Sequence, residues 1–126
     1  VPFFQAGAAR VVGMAGEAPA YAAAGHDYLA LPGAQGQVDL AALLTRLGRE
    51  QVNDVLVEAG PRLAGAFAQA GLVDEYHLFL APKFLGSSAR PLLDWPLARM
   101  AEAQELEIRE MRAIGSDWRI IAVPSR

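Results

Sequence analysis

Glu58 is the residue in this chain best placed to do chemistry. It closes the apolar run Asp54–Val57 and is followed at once by a break, Gly60-Pro61. Beyond the break, Leu63 and Phe67 stand four apart, with Ala64, Gly65, Ala66, Ala68 and Ala70 filling the positions around them. This pattern predicts a strand, a tight turn and a helix. Pro61 suits the first helical position, because the N–H it lacks would have no partner there. The free N–H groups of such a helix point toward the carboxyl end of the strand, where an anion is favoured. In an open α/β sheet that edge is also where ligands usually sit. A second reading of Glu58 is a strand-end carboxylate that only accepts backbone N–H bonds in the turn. The residues leave both readings open.

Gly60 and Gly65 are spaced Gly-x-x-x-x-Gly. This is neither the Gly-x-Gly-x-x-Gly fingerprint nor a P-loop, since no Lys-Ser/Thr follows. Small residues here let a phosphate approach the backbone, or let the helix pack closely on the sheet, and the two uses are compatible. His26 and His77 lie in different elements without metal-ligand spacing, so no metal site is expected. His77 reads as a hydrogen-bonded structural residue within a strand. No Gly-x-Ser-x-Gly elbow exists, and no catalytic residue can be named. Lys83, directly after Ala81-Pro82, is either near the ligand edge or simply solvated. Asp94-Trp95-Pro96 is either a lid or a packed loop. Glu105, Glu107 and Arg109 form a face that is solvated or belongs to a subunit contact.

The elements that must position these residues follow in chain order. Val1–Ala9 has no clear period. Arg10–Ala15 reads as a buried strand, Ala20–Ala24 as a helical turn capped by Gly25, and Tyr28–Leu31 as a second strand. Leu40, Leu43, Leu44 and Leu47 give the stripe of an amphipathic helix, begun by Asp39 and ended at Gly48. The strand Asp54–Val57 and the helix Pro61–Ala70, ended by Gly71, come next. Glu75–Ala81 is a strand expected to run parallel to Asp54–Val57 through a right-handed crossover. Pro82–Trp95 is a long connection. Gln104–Met111 and Trp118–Val123 form an antiparallel hairpin turned at Gly115-Ser116. The fold class is therefore α/β, a mostly parallel sheet flanked by helices with a C-terminal antiparallel β-hairpin.

Composition narrows the function. The 126 residues suffice for a single domain, and 53% hydrophobic against 20% charged is globular. The net charge is −3, and Lys83 is the only lysine, so no nucleic-acid surface is expected. The absence of Cys removes disulfides and thiolate metal sites and fits a reducing, cytoplasmic setting. No apolar run approaches the ~20 residues that span a membrane. The chain begins with Val1, which marks a processed chain or a fragment.

Val57-Glu58-Ala59-Gly60-Pro61-Arg62-Leu63-Ala64-Gly65 resembles a signature of the C-terminal reductase domain of the bifunctional riboflavin-biosynthesis deaminase/reductases. The resemblance continues through Gly71-Leu72-Val73-Asp74-Glu75 and through Ala81-Pro82-Lys83-Phe84-Leu85-Gly86, in the family's order and spacing. It implies a dihydrofolate-reductase-like fold. It implies NADPH-dependent reduction of 5-amino-6-(5-phosphoribosylamino)uracil, a pyrimidine ribose-phosphate, to the ribitylamino product. By the same resemblance Glu58 contacts the substrate's sugar. Gly60, Pro61, Arg62, Leu63, Ala64, Gly65 and Ala66 cradle the dinucleotide phosphates. Ala59 stands where many members have Gly, and Arg62 where Thr is common. Members are longer at the N-terminus and carry a zinc deaminase domain. The chain is thus expected to be a C-terminal piece of a larger enzyme, inactive alone. The alternative is a non-catalytic dimerising or nucleotide-binding module, since the edge of the hairpin Gln104–Val123 is suited to pairing with a second copy in a homodimer.

Overall fold

The computed structural model describes residues 9 to 125, and Val1–Ala9 of the sequence reading falls outside the described residues but for Ala9. The chain divides into two compact units, with the boundary between Val55 and Leu56.

The first unit is built on two short parallel strands, β1 (Arg10–Gly13) and β2 (Asp27–Ala30), paired Arg10↔Asp27 through Gly13↔Ala30. Parallel strands need a crossover, and α1 (Ala18–Ala23) supplies it. Its end is closed as the sequence predicts. Gly25 takes φ +79°, and the N–H of His26 donates to the Tyr21 carbonyl at 3.0 Å. The rings of Tyr21 and Tyr28 then stack, with centroids 5.3 Å apart. The amphipathic helix α2 (Leu40–Arg49) begins at Asp39, whose carboxylate accepts the Ala42 N–H at 2.9 Å. It does not end at Gly48. Gln51 takes the left-handed conformation at φ +65°, and the Val52 N–H reaches back to the Leu47 carbonyl at 3.0 Å. The closing geometry is the one glycine usually provides, shifted three residues on.

The second unit contains α3 (Pro61–Gln69) and three antiparallel strands in the order β3-β5-β4: β3 (Tyr76–Leu80), β5 (Asp117–Pro124) and β4 (Leu106–Ile114). Gly115 at φ +60° leads the two-residue turn between β4 and β5, as a right-twisted hairpin requires. Gly71 closes α3 at φ +66°, with the Leu72 N–H donating to the Phe67 carbonyl at 3.0 Å. Phe67, Ala68 and Ala122 are buried.

Two expectations are corrected. Asp54–Val57 is not a strand: residues 52 to 60 have no regular structure, and Leu56 is 80% exposed. A β-branched run records fitness for a pleated, half-buried surface, and among the described residues no strand pairs with this run. The sheet is also not mostly parallel. Among the described residues only β1 and β2 are parallel, while β3 finds its partner in β5, antiparallel, and not in the run before α3. What holds is the mixed α/β class.

Candidate functional site

The N-terminus of α3 is the centre of the site. Gly60 is its N-cap in extended conformation, Pro61 occupies the first turn, and no side chain caps the end. Proline has no N–H, and the first helical carbonyl bond runs from the Ala64 N–H to Gly60 at 3.1 Å. The N–H groups of Arg62 and Leu63 are thus the ones a helix start leaves for an outside acceptor. A Cβ placed on Gly60 would meet nothing within 4 Å, so the approach to this turn is open. Arg62 is exposed and forms no ion pair among the described residues, leaving its guanidinium available to an anion. Glu58, two residues ahead of the cap, is likewise exposed and makes no side-chain hydrogen bond among the described residues. The turn-capping reading of Glu58 has no support in these contacts.

The rest of the helix faces the other way. Pro61, Ala64 and Ala66 are half-buried, Leu63 is exposed, and Gly65, Phe67 and Ala68 are buried. The nearest neighbour of Gly65 is the Asp94 backbone. A Cβ on Gly65 would stand 2.9 Å from the Asp94 carbonyl carbon and 3.0 Å from the Asp94 nitrogen. The Asp94 N–H donates to the Pro61 carbonyl at 2.9 Å. Asp94-Trp95-Pro96 is therefore a packed loop, pinned by its backbone to the first turns of α3. Trp95, Leu92 and Leu93 from the same loop line an apolar cavity of about 230 Å³ with Tyr76, Leu78 and Leu106. Partial burial there pushes the Tyr76 phenol above its ordinary pKa, and its hydroxyl meets Gln104 Oε1 at 3.2 Å. The sequence reading did not foresee the contact between Gly65 and the Asp94 backbone. Its signal was a lone glycine inside an alanine-rich helix, at a position where a helix gains nothing from glycine except room.

The other candidates separate. His77 is hydrogen-bonded through Nε2 to Glu75 at 2.6 Å, in keeping with a structural residue. Lys83 lies in the fully exposed stretch 81–90, and its side chain has no partner among the described residues. Glu107 pairs with Arg109 at 2.9 Å on β4. Among the described residues no group of three or more His, Cys, Asp or Glu is placed to hold a metal ion.

The profile of the RibD C-terminal domain matches residues 5–120. The chain belongs to the RibD C-terminal domain family. It is 48% identical over 90 residues to riboflavin biosynthesis protein RibD of Escherichia coli (strain K12), covering 71% of this chain and 24% of that protein. It is 31% identical over 91 residues to the 5-amino-6-(5-phosphoribosylamino)uracil reductase of Buchnera aphidicola subsp. Acyrthosiphon pisum, covering 71% of this chain and 44% of that protein. The solved structure of Acinetobacter baumannii RibD, form 1, superposes with a TM-score of 0.75 at 29% identity, over 93% of this chain and 31% of that one. The chain thus spans about a quarter to a half of the length of these RibD-family relatives. The Escherichia coli relative is named for riboflavin biosynthesis and the Buchnera one for reduction of the aminouracil.

Proposed function

We propose that this chain is part of a reductase of riboflavin biosynthesis that uses NADPH to reduce 5-amino-6-(5-phosphoribosylamino)uracil to its ribitylamino product. The observation that carries the reading is the uncapped, proline-led start of α3 directly behind the exposed carboxylate of Glu58, in a chain of the RibD C-terminal domain family. A dihydrofolate-reductase-like arrangement of the sheet is part of the same proposal. The residues present fit the cofactor: backbone N–H groups of Arg62 and Leu63 and the Arg62 guanidinium would hold the pyrophosphate, with Gly60 keeping the approach clear. NADPH supplies the hydride when bound. Glu58 accepts hydrogen bonds from sugar hydroxyls and so fixes the ribosyl carbon to be reduced, which is how a protein accelerates a hydride transfer that the cofactor performs. Gly65 is a seat for the Asp94 backbone, so its contribution to the cradle is to hold the turn that does the binding.

The test is oxidation of NADPH by the longer protein of which this chain is proposed to be part, when it is given the aminouracil phosphoribosyl substrate. Turnover is expected to fall in Glu58→Gln, which keeps the size of the side chain and removes its charge. Failure of that longer protein to oxidise NADPH with the correct substrate present would remove the enzymatic reading.

A further inference from the structure

The apolar cavity beside α3 has walls of two kinds. Tyr76 and Leu78 on β3 and Leu106 on β4 lie opposite Ala122, Ile120 and Pro124 of β5. Those three β5 residues alternate along their strand, so Tyr76, Leu78 and Leu106 share one face of the sheet and form the floor. The facing wall is the connection between β3 and β4, through Leu93 and Trp95. Leu92 of that wall is 71% exposed, so the loop lies over the sheet without sealing the space. None of the described residues that line the cavity is charged.

Size and chemistry narrow what fits. A cavity of about 150 Å³ with aliphatic and aromatic walls is enough to bind benzene. The 230 Å³ here holds one or two fused rings, and is too small for a helix or strand of another protein. An ionised ligand would give up its hydration and find no counter-charge on these walls. The cavity has one polar corner, where the Tyr76 hydroxyl donates to Gln104 Oε1 at 3.2 Å. The Gln104 amide nitrogen carries two further donors. In an apolar pocket a lone polar group of this kind fixes the orientation of what enters. We propose that this cavity binds a small uncharged aromatic molecule of one or two rings, with a single oxygen that accepts from Gln104, and that its occupancy steadies the start of α3.

The second half follows from the loop. Leu93 and Trp95 line the cavity, and Asp94 between them gives its N–H to the Pro61 carbonyl at 2.9 Å and lays its backbone against Gly65. One short stretch is therefore both the wall of the cavity and the anchor of α3. A ring packed between the sheet and Trp95 supplies contacts that the open wall lacks, and holds the loop in place. The Asp94 peptide then holds the first turn of α3. This coupling rests on the reductase reading, in which that turn receives NADPH. Occupancy of the cavity tightens NADPH, and NADPH tightens the aromatic ligand by the same factor.

Calorimetric titration of the longer protein of which this chain is proposed to be part tests both halves, with 2-naphthol as the probe. Saturable binding at one site is expected, with 2-naphthoate, the same rings bearing a charge, at least about ten-fold weaker. Ala103 lines the cavity and is exposed, so Ala103→Trp fills the space without opening a hole, and is expected to weaken 2-naphthol by about ten-fold or more. Gln104→Leu, which removes the donor and keeps the apolar wall, is expected to weaken it several-fold; circular dichroism checks that both variants are folded. No binding of 2-naphthol, as when a segment of the protein itself already fills the cavity, overturns the site. So does 2-naphthoate binding as tightly, or binding that neither variant alters. Saturating 2-naphthol is expected to tighten NADPH by about five-fold. An NADPH affinity that does not change overturns the coupling. Absence of any NADPH binding removes the reductase reading and the coupling with it, and leaves the cavity's ligand standing.

Discussion

Gly65 shows how a single hydrogen atom in place of a side chain can hold two segments together. Its α-carbon lies so close to the Asp94 backbone that no Cβ fits between them. The obstacle is main chain, which cannot swing aside as a side chain would. Gly65→Ala is expected to cost about 1–3 kcal/mol of stability and Gly65→Leu at least as much, by overpacking at a buried position. Urea unfolding would measure both, and an alanine variant as stable as its parent would mean that the loop and helix separate freely. Gln51 is the converse case. It holds a left-handed φ of +65° that favours glycine, at the end of α2. Gln51→Gly is expected to gain up to about 1 kcal/mol, again read by denaturant midpoint, because the strain of a side chain there is relieved. The first of these sites was half legible in the sequence: the need for a small residue at 65 was visible, its neighbour was not. The second was hidden, since Gly48 three residues earlier offered a more conventional stop that the helix passes over.

At the scale of elements, local signals were read well and pairing was not. Gly25, Gly71 and Gly115 end or turn their elements where the sequence placed them, and Asp39 caps α2. Each of these depends on contacts a few residues apart. Strand partners depend on residues far away, so Asp54–Val57 was assigned a place in a sheet that its composition suits but that no described neighbour supplies. The contact of Asp94 with α3, 29 positions beyond Gly65, was invisible for the same reason. The first unit is also knitted by charge. Arg10 on β1 reaches Asp27 on β2 at 2.5 Å and Glu50 behind α2 at 2.6 Å, and Arg46 reaches the same Glu50 at 2.6 Å. Arg46, and then Arg10, hold the Glu50 carboxyl below its ordinary range. The group's contribution is therefore complete above the usual carboxylate pKa and fades as pH falls through the lowered value. Because the residues are solvent-facing, the effect is small and salt-sensitive. Acid unfolding monitored by circular dichroism is expected to flatten in Glu50→Gln, and the difference between the two chains to shrink in high salt.

For the whole molecule, the family and the α/β class were legible from three short motifs, Val57–Gly65, Gly71–Glu75 and Ala81–Gly86, because each sits at the end of an element where backbone shape dictates residue type. The candidate site was legible as a neighbourhood, since Glu58 and the start of α3 are adjacent in sequence. Its supporting loop was not. The described core is small, with Phe67, Ala68 and Ala122 its buried apolar side chains. A ligand that binds only the folded state then has a large relative effect on stability. NADPH is expected to enhance or quench its own fluorescence saturably on titration with the protein and to raise the unfolding temperature. A flat titration would favour a remnant that has lost the cofactor site over a retained half-site.

The seam between α3 and its loop has an evolutionary corollary. Asp94 contributes to it through main-chain atoms alone: an N–H given to Pro61 and a peptide laid against Gly65. Its carboxylate is outside and takes no part, so the two halves of the seam tolerate change very differently. In a saturation library, position 94 should accept nearly every amino acid and reject proline, which has no proton to give, while position 65 should accept glycine and little else. Drift at one side of such a joint leaves no trace on the other, and a pair of positions in direct contact would then show no covariation at all.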